Sequence, residues 1–253
     1  MGAMPSASDL RARLGRAAIL TDFDGTLSAV VDDPAAAVPA PGAVDVLLAL
    51  VDRAAVVGVV SGRPVEVLAR HLPDPRIHLS GLYGLEQRAH GTVTDLPETR
   101  RWVTPVAQAG AELEGRAPAG VVVELKRLSL TVHYRRRPEL EAEVKALAHE
   151  VAASHALTAR PARLSIEMHP PETPDKGVVV EDLARGCDAA CFLGDDVGDL
   201  AAFDALDRLR EKGGMPTVKV GVESPESAPE LLARSDVRVA GPEGAIGWLR
   251  SLL

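Results

Sequence analysis

"AAILTDFDGTL" (residues 17–27) carries an aliphatic run straight into two carboxylates two positions apart, followed by a glycine and a threonine. On an extended chain residues 22 and 24 point the same way, so Asp22 and Asp24 converge where their charges repel. Such a pair at the end of a buried strand is costly unless a cation or a reaction needs it. The run before it lacks polar alternation, which suits a strand covered on both faces.

The same pattern recurs along the chain. "AAVVGVV" (54–60) leads into Ser61-Gly62-Arg63, and "AACFL" (189–193) into Gly194-Asp195-Asp196. "TVKVGV" (217–222) and "DVRVA" (236–240) read as further strands. Between them lie the helix-like stretches 42–54, 64–72, 176–186, 199–213 and 243–253. Strand and helix in alternation predict a doubly wound, Rossmann-like α/β fold with a parallel sheet, whose ligands bind at the carboxyl ends of the strands. "DFDGT", "SGR" and "GDD" all fall there.

The middle of the chain has a different grammar. A helix-like stretch (97–116), a hairpin ("VVVELKR" and "LSLTVHYR", 121–135), a second helix (138–155) and two short strands (157–160 and 163–169) follow one another. This order suits an antiparallel sheet with two helices on one face. The expected organisation is a core of residues 1–97 and 172–253 interrupted by an inserted α+β cap, residues 98–171.

Composition narrows the function classes. The 253 residues are 46% hydrophobic but 3% aromatic, so the core is aliphatic. No apolar run approaches the ~20 residues a membrane span needs. A net charge of −8 argues against nucleic acid or anionic lipid as a partner, while leaving room for a small phosphorylated ligand at a local cationic cluster. Cys187 and Cys191 make no disulfide framework and fit a reducing, cytoplasmic setting as structural thiols. No signal peptide is read at the N-terminus, and the myristoylation pattern of Gly2 and Ser6 is short enough to arise by chance. "HEVAASH" (149–155) lacks zinc-protease spacing, "HYRRRP" (133–138) reads as a solvated turn, and Trp102 and Trp248 read as packing residues. The chain is expected as a monomer or small homo-oligomer.

The chemistry follows from the residue types. Asp22 and Asp24, with Asp195, Asp196 and Asp199 beyond another strand, form an all-oxygen donor set suited to a hard cation such as Mg²⁺. A calcium loop does not fit, because Gly25 comes too early and no glutamate stands at the twelfth position. Gly25 and Gly62 allow close approach of backbone to a ligand, Thr26 and Ser61 offer hydroxyls, and Arg63 and Lys176 stand at helix starts, where anions are favoured. Carboxylates with a divalent metal, hydroxyls and a lysine make a phosphoryl-transfer site in which Asp22 can attack phosphorus.

In order and spacing the chain resembles the haloacid dehalogenase-like phosphatases, whose four signatures match "DFDGT", Ser61 of "SGR", Lys176 of "DKG" and "GDDVGD". The resemblance implies Asp22 as nucleophile and Asp24 as general acid and base, with Ser61 and Lys176 completing the catalytic set. It implies Mg²⁺ held by Asp22, the Asp24 carbonyl and Asp195, supported by Asp196 and Asp199. Within that superfamily, "VVVELKRLSLTVHYR" and "IEMHPPETPDKG" are similar to the trehalose-6-phosphate phosphatases. This implies a phosphorylated sugar as substrate, contacted by Glu124, Lys126, Glu167 and Arg63. The chain departs from that family's pattern at Leu82, Tyr83, His169, Gly198 and Leu200. Phosphatases of sucrose phosphate or a glycosyl-phosphoglycerate are the nearest alternatives, followed by a phosphosugar mutase and a non-catalytic sensor.

Overall fold

A computed structural model describes residues 7–31, 36–95, 97–162, 164–171 and 174–253; Gly2 and Ser6 lie outside these. Two compact units emerge, residues 1–94 with 174–253 and residues 95–173.

The first unit is built on strand β1 (Ala17–Thr21), buried along its whole length. It pairs in parallel with β2 (Val56–Val60) on one side and β10 (Ala189–Gly194) on the other. Outward from β10 come β11 (Thr217–Glu223) and β12 (Val237–Ala240), and outward from β2 come β3 (His78–Gly81), β4 (Glu86–Ala89) and β5 (Thr92–Asp95), giving the order β12-β11-β10-β1-β2-β3-β4-β5. Alternate residues face opposite layers. Ile19, Val57, Val59, Cys191 and Leu193 pack on one face with α1 (Ala7–Ala12), α2 (Ala43–Val51), α3 (Val65–His71) and α9 (Gly241–Arg250). Ala18, Leu20, Val60 and Phe192 pack on the other with α6 (Lys176–Leu183), α7 (Leu200–Gly213) and α8 (Pro229–Arg234). Trp248 belongs to the first layer, and burial pushes the Cys191 thiol up to about 12, as a packing residue requires.

The far side of the sheet goes beyond the aliphatic pattern. Strand β4 runs antiparallel to β3, and its first three residues, Glu86, Gln87 and Arg88, are polar. Their partners explain this. Arg88 is buried and donates Nη2 to the carbonyls of Leu72, Asp74 and Ile77, while Glu86 accepts the Val65 amide at the start of α3. Polar atoms satisfied in this way can be buried without a hydrophobic signature.

The second unit holds a four-stranded antiparallel sheet in the order β6-β7-β9-β8, from β6 (Val122–Leu125), β7 (Leu130–His133), β8 (Thr158–Ala162) and β9 (Ser165–His169). Leu130, Val132, Ile166 and Met168 face α4 (Val103–Arg116) and α5 (Glu141–Ser154), which contribute Val106, Leu113, Val144 and Val151. Trp102 packs on this core. No described helix is long and apolar enough to cross a membrane.

Candidate active site

The chain leaves β1 towards β2 and leaves β10 towards β11, so the β1/β10 boundary is where the order of the sheet reverses, the place where open α/β sheets bind ligands. Thr21 is in register with Leu193, and the Asp22 amide donates to the Leu193 carbonyl at 2.8 Å. Asp22 and Asp195 therefore emerge side by side. Gly25 has φ +76°, and a Cβ there would run into the Asp195 carboxylate. The space that this glycine clears within the protein is thus filled by another carboxylate. Gly194 serves likewise, since its Cβ would lie 2.5 Å from the Asp199 carboxyl carbon.

Oxygens of Asp22, Asp195 and Asp199, all buried, lie within 4.8 Å of one another. Lys176, the first residue of α6, is placed among them by the Asp175 cap, whose side chain accepts the Val178 amide at 3.0 Å. Its Nζ donates to Asp199 Oδ1 at 2.6 Å and lies 3.1 Å from Asp22 Oδ1. Asp199 Oδ2 accepts the amides of Asp195 (2.9 Å) and Asp196 (3.2 Å). Asp199 thus organises the loop and orients the lysine. Burial pushes the Asp22 carboxyl well above the usual range; Lys176 opposes this, and Asp199 and Asp195 reinforce it. Burial works against the Lys176 charge, but Asp199 and Asp22 outweigh it and hold the ammonium well above its ordinary value. Three buried carboxylates against one ammonium leave negative charge uncompensated. The donors are all oxygen, so the residues fit a hard divalent cation.

Asp24 goes elsewhere. Its two oxygens accept from Arg63, Nε to Oδ2 at 2.6 Å and Nη2 to Oδ1 at 2.7 Å, and the guanidinium lies over the Phe23 ring. Arg63, expected on the substrate, here forms a two-pronged clamp on the second aspartate. Ser61 is buried and its Oγ accepts the Arg63 amide at 3.2 Å, a bond that leaves the serine's own proton to donate. Thr26 is fully buried, with no hydrogen-bond partner for Oγ1 among the described residues. The Asp196 side chain caps a short helical turn through the Gly198 amide at 2.7 Å.

In the second unit, the pairings Glu124–Thr131–Glu167–Arg160 put these four residues in one row on the sheet face opposite the helices. Glu124 Oε2 lies 2.9 Å from His133 Nε2 and 3.5 Å from Lys126 Nζ. Burial raises the Glu124 carboxyl, but the His133 hydrogen bond and the Lys126 charge prevail and hold it at about 2. Thr131 and Arg160 were not singled out in the sequence, and His133, read there as the start of a solvated turn, is instead the last residue of β7. The available signal was the alternation of "TVH" along β7.

A family model described as trehalose-phosphatase matches residues 20–236. A trehalose-phosphate phosphatase of Mycobacterium avium is 38% identical over 201 residues, 75% of this chain and 51% of that protein, and one of Mycobacterium ulcerans is 32% identical over 239 residues, 87% and 61%. The chain thus spans about half to three-fifths of these curated relatives. Among solved structures, the C-terminal domain of Candida albicans trehalose-6-phosphate phosphatase superposes with a TM-score of 0.79 at 23% identity, covering 97% of this chain and 95% of that one. A trehalose-6-phosphate phosphatase related protein gives 0.74 at 21%, covering 92% and 95%.

Proposed function

The chain belongs to the trehalose-phosphatase family, and on that premise we propose that it hydrolyses trehalose 6-phosphate to trehalose and phosphate. The observation that carries the reading is the buried set of Asp22, Asp195, Asp199 and Lys176 at two adjacent strand ends. Ser61 and the Arg63–Asp24 pair stand at the end of β2, the strand beside β1.

Asp22 attacks the phosphorus and forms an aspartyl-phosphate while the sugar oxygen leaves. Asp24, released from one prong of Arg63, gives that oxygen its proton and then takes one from the water that cleaves the acyl phosphate. Lys176 favours the ionised form of Asp22 against the cost of burial and orients it. Ser61 donates its hydroxyl proton to a phosphoryl oxygen. Asp22, the Asp24 carbonyl and Asp195 would hold Mg²⁺, supported by Asp196 and Asp199, and the ion would offset repulsion between the attacking carboxylate and the phosphate. Glu124, Lys126 and Glu167 read the sugar; this is supported by their clustering on one polar sheet face.

The test is phosphate release with Mg²⁺ from trehalose 6-phosphate, sucrose 6-phosphate, glucose 6-phosphate, glucosyl-phosphoglycerate and p-nitrophenyl phosphate. A strong preference for trehalose 6-phosphate is expected, and Asp22→Asn should abolish release from every substrate. Lys126→Ala should depress the sugar phosphate far more than the aryl phosphate. Equal losses would remove the sugar-reading role, and preference for another sugar phosphate would reassign the substrate while keeping the chemistry.

A further inference from the structure

Leu82 and Tyr83 both occupy the left-handed region, with φ of 49° and 58°, although glycines stand on either side of them at 81 and 84. Two successive bulky residues in this conformation are disfavoured by contact of Cβ with the backbone, and such strain persists where the surroundings over-determine it. Here the surroundings are the Ser61–Arg63 turn. The Leu82 amide donates to the Arg63 carbonyl at 3.0 Å and the Tyr83 amide to the Ser61 carbonyl at 3.1 Å, so consecutive N–H groups grip both ends of one turn. Main chain lies directly on main chain, since a Cβ at Gly81 would stand 2.6 Å from the Arg63 carbonyl oxygen and from the Val65 nitrogen. The Tyr83 ring completes the grip. A Cβ on Gly62 would lie 2.6 Å from Tyr83 Oη, 2.8 Å from Cζ and 3.0 Å from Cε2, which puts the hydroxyl end of the ring against the middle of the turn. Leu82 anchors the loop with a fully buried side chain.

We propose that Tyr83 is a positioning residue for the phosphoryl-transfer reaction. Its left-handed backbone and its ring together fix the Ser61–Gly62–Arg63 turn, and through it the Ser61 hydroxyl and the Arg63 fork that holds Asp24. The inference rests on the phosphatase reading of the same site but not on the identity of the sugar. A turn displaced by a fraction of an ångström still binds phosphate but stabilises the transferring group less, so the loss belongs in kcat.

The experiment uses the full chain with Mg²⁺ at a temperature where circular dichroism shows every variant folded. It compares Tyr83→Phe, Tyr83→Asn and Tyr83→Gly on trehalose 6-phosphate and p-nitrophenyl phosphate. Phenylalanine keeps the ring, and its kcat should stay within about threefold of wild type on both substrates. Asparagine and glycine tolerate the left-handed backbone but lack the ring. Both should lose about tenfold or more in kcat on both substrates, with KM for the aryl phosphate changed less than about threefold. Wild-type kcat in the asparagine and glycine variants would overturn the proposal. So would losses confined to KM for the sugar phosphate, which would make Tyr83 a substrate contact instead. Aryl phosphate hydrolysis without trehalose 6-phosphate hydrolysis would discard the proposed substrate and leave this test intact on the aryl ester. A wild-type chain inactive on both would end both readings.

Discussion

Lys176 is the residue on which the acidic cluster balances. Its ammonium touches Asp22 and Asp199 in a buried setting, so removing it strands charge rather than merely deleting a bond. Lys176→Met should destabilise the chain by about 3–5 kcal/mol in metal-free urea denaturation, and Mg²⁺ should restore more stability to the variant than it adds to the wild type. Asp24 predicts the opposite balance of effects. It is partly exposed, and an asparagine still accepts from Arg63, so Asp24→Asn should leave the urea midpoint nearly unchanged while costing roughly 10²–10⁴ in kcat. At this scale the sequence pointed to Asp22, Asp195 and Asp199, which gather, but also to Asp24 and Asp196, whose side chains turn to Arg63 and to the Gly198 amide. It was silent on the Arg63–Asp24 pair, whose members lie 39 positions apart and meet through the pairing of β1 with β2.

At the scale of elements, the loop after β1 is fitted to the loop after β10 by the glycine at 25. Gly25→Ala would impose a side chain on a φ of +76° and press it into Asp195. A loss of about 1–3 kcal/mol in thermal denaturation is expected. Mg²⁺ affinity, read by titration calorimetry, should fall with it because Asp195 is displaced. Strands β1, β2, β10 and β11 were legible because a strand covered on both faces must be aliphatic, whereas β12, a half-exposed edge strand, was legible from its β-branched valines. Strands β3, β4 and β5 were not read. At β4 burial is sustained by Arg88 on three carbonyls and by Glu86 at the start of α3, contacts that no local pattern announces. The hairpin β6–β7 was legible from its alternation, whereas the row from Glu124 to Arg160 depends on register across four strands.

At the scale of the whole molecule, the effect of acid on the second unit can be followed by itself. Glu124 titrates at about 2 in the folded protein against an ordinary 4.5. A depressed carboxyl stabilises fully above its unfolded value, and that contribution fades as pH falls from about 4.5 through about 2. Each unit carries one tryptophan, Trp102 in residues 95–173 and Trp248 in the other. In a Trp248→Phe background, Trp102 fluorescence during urea unfolding should report a midpoint that drops over this window, and Glu124→Gln should flatten the drop.

The central place of β1 also has a consequence for synthesis. One of its edges pairs with β2 soon after both are made, but the other waits for β10, which begins at residue 189, after all of residues 95–173 have been translated. At roughly 5–20 residues per second, an aliphatic strand edge stands unpaired on the nascent chain for on the order of ten seconds. The second unit has its own core and can fold during that interval, while the first half of the sheet holds an open edge of the kind that invites intermolecular pairing. Ribosome-bound chains halted with residue 173 already outside the ribosome and β10 still inside it should therefore be protease-resistant within 95–173 and sensitive around β1, with protection of β1 arriving once β10 has emerged.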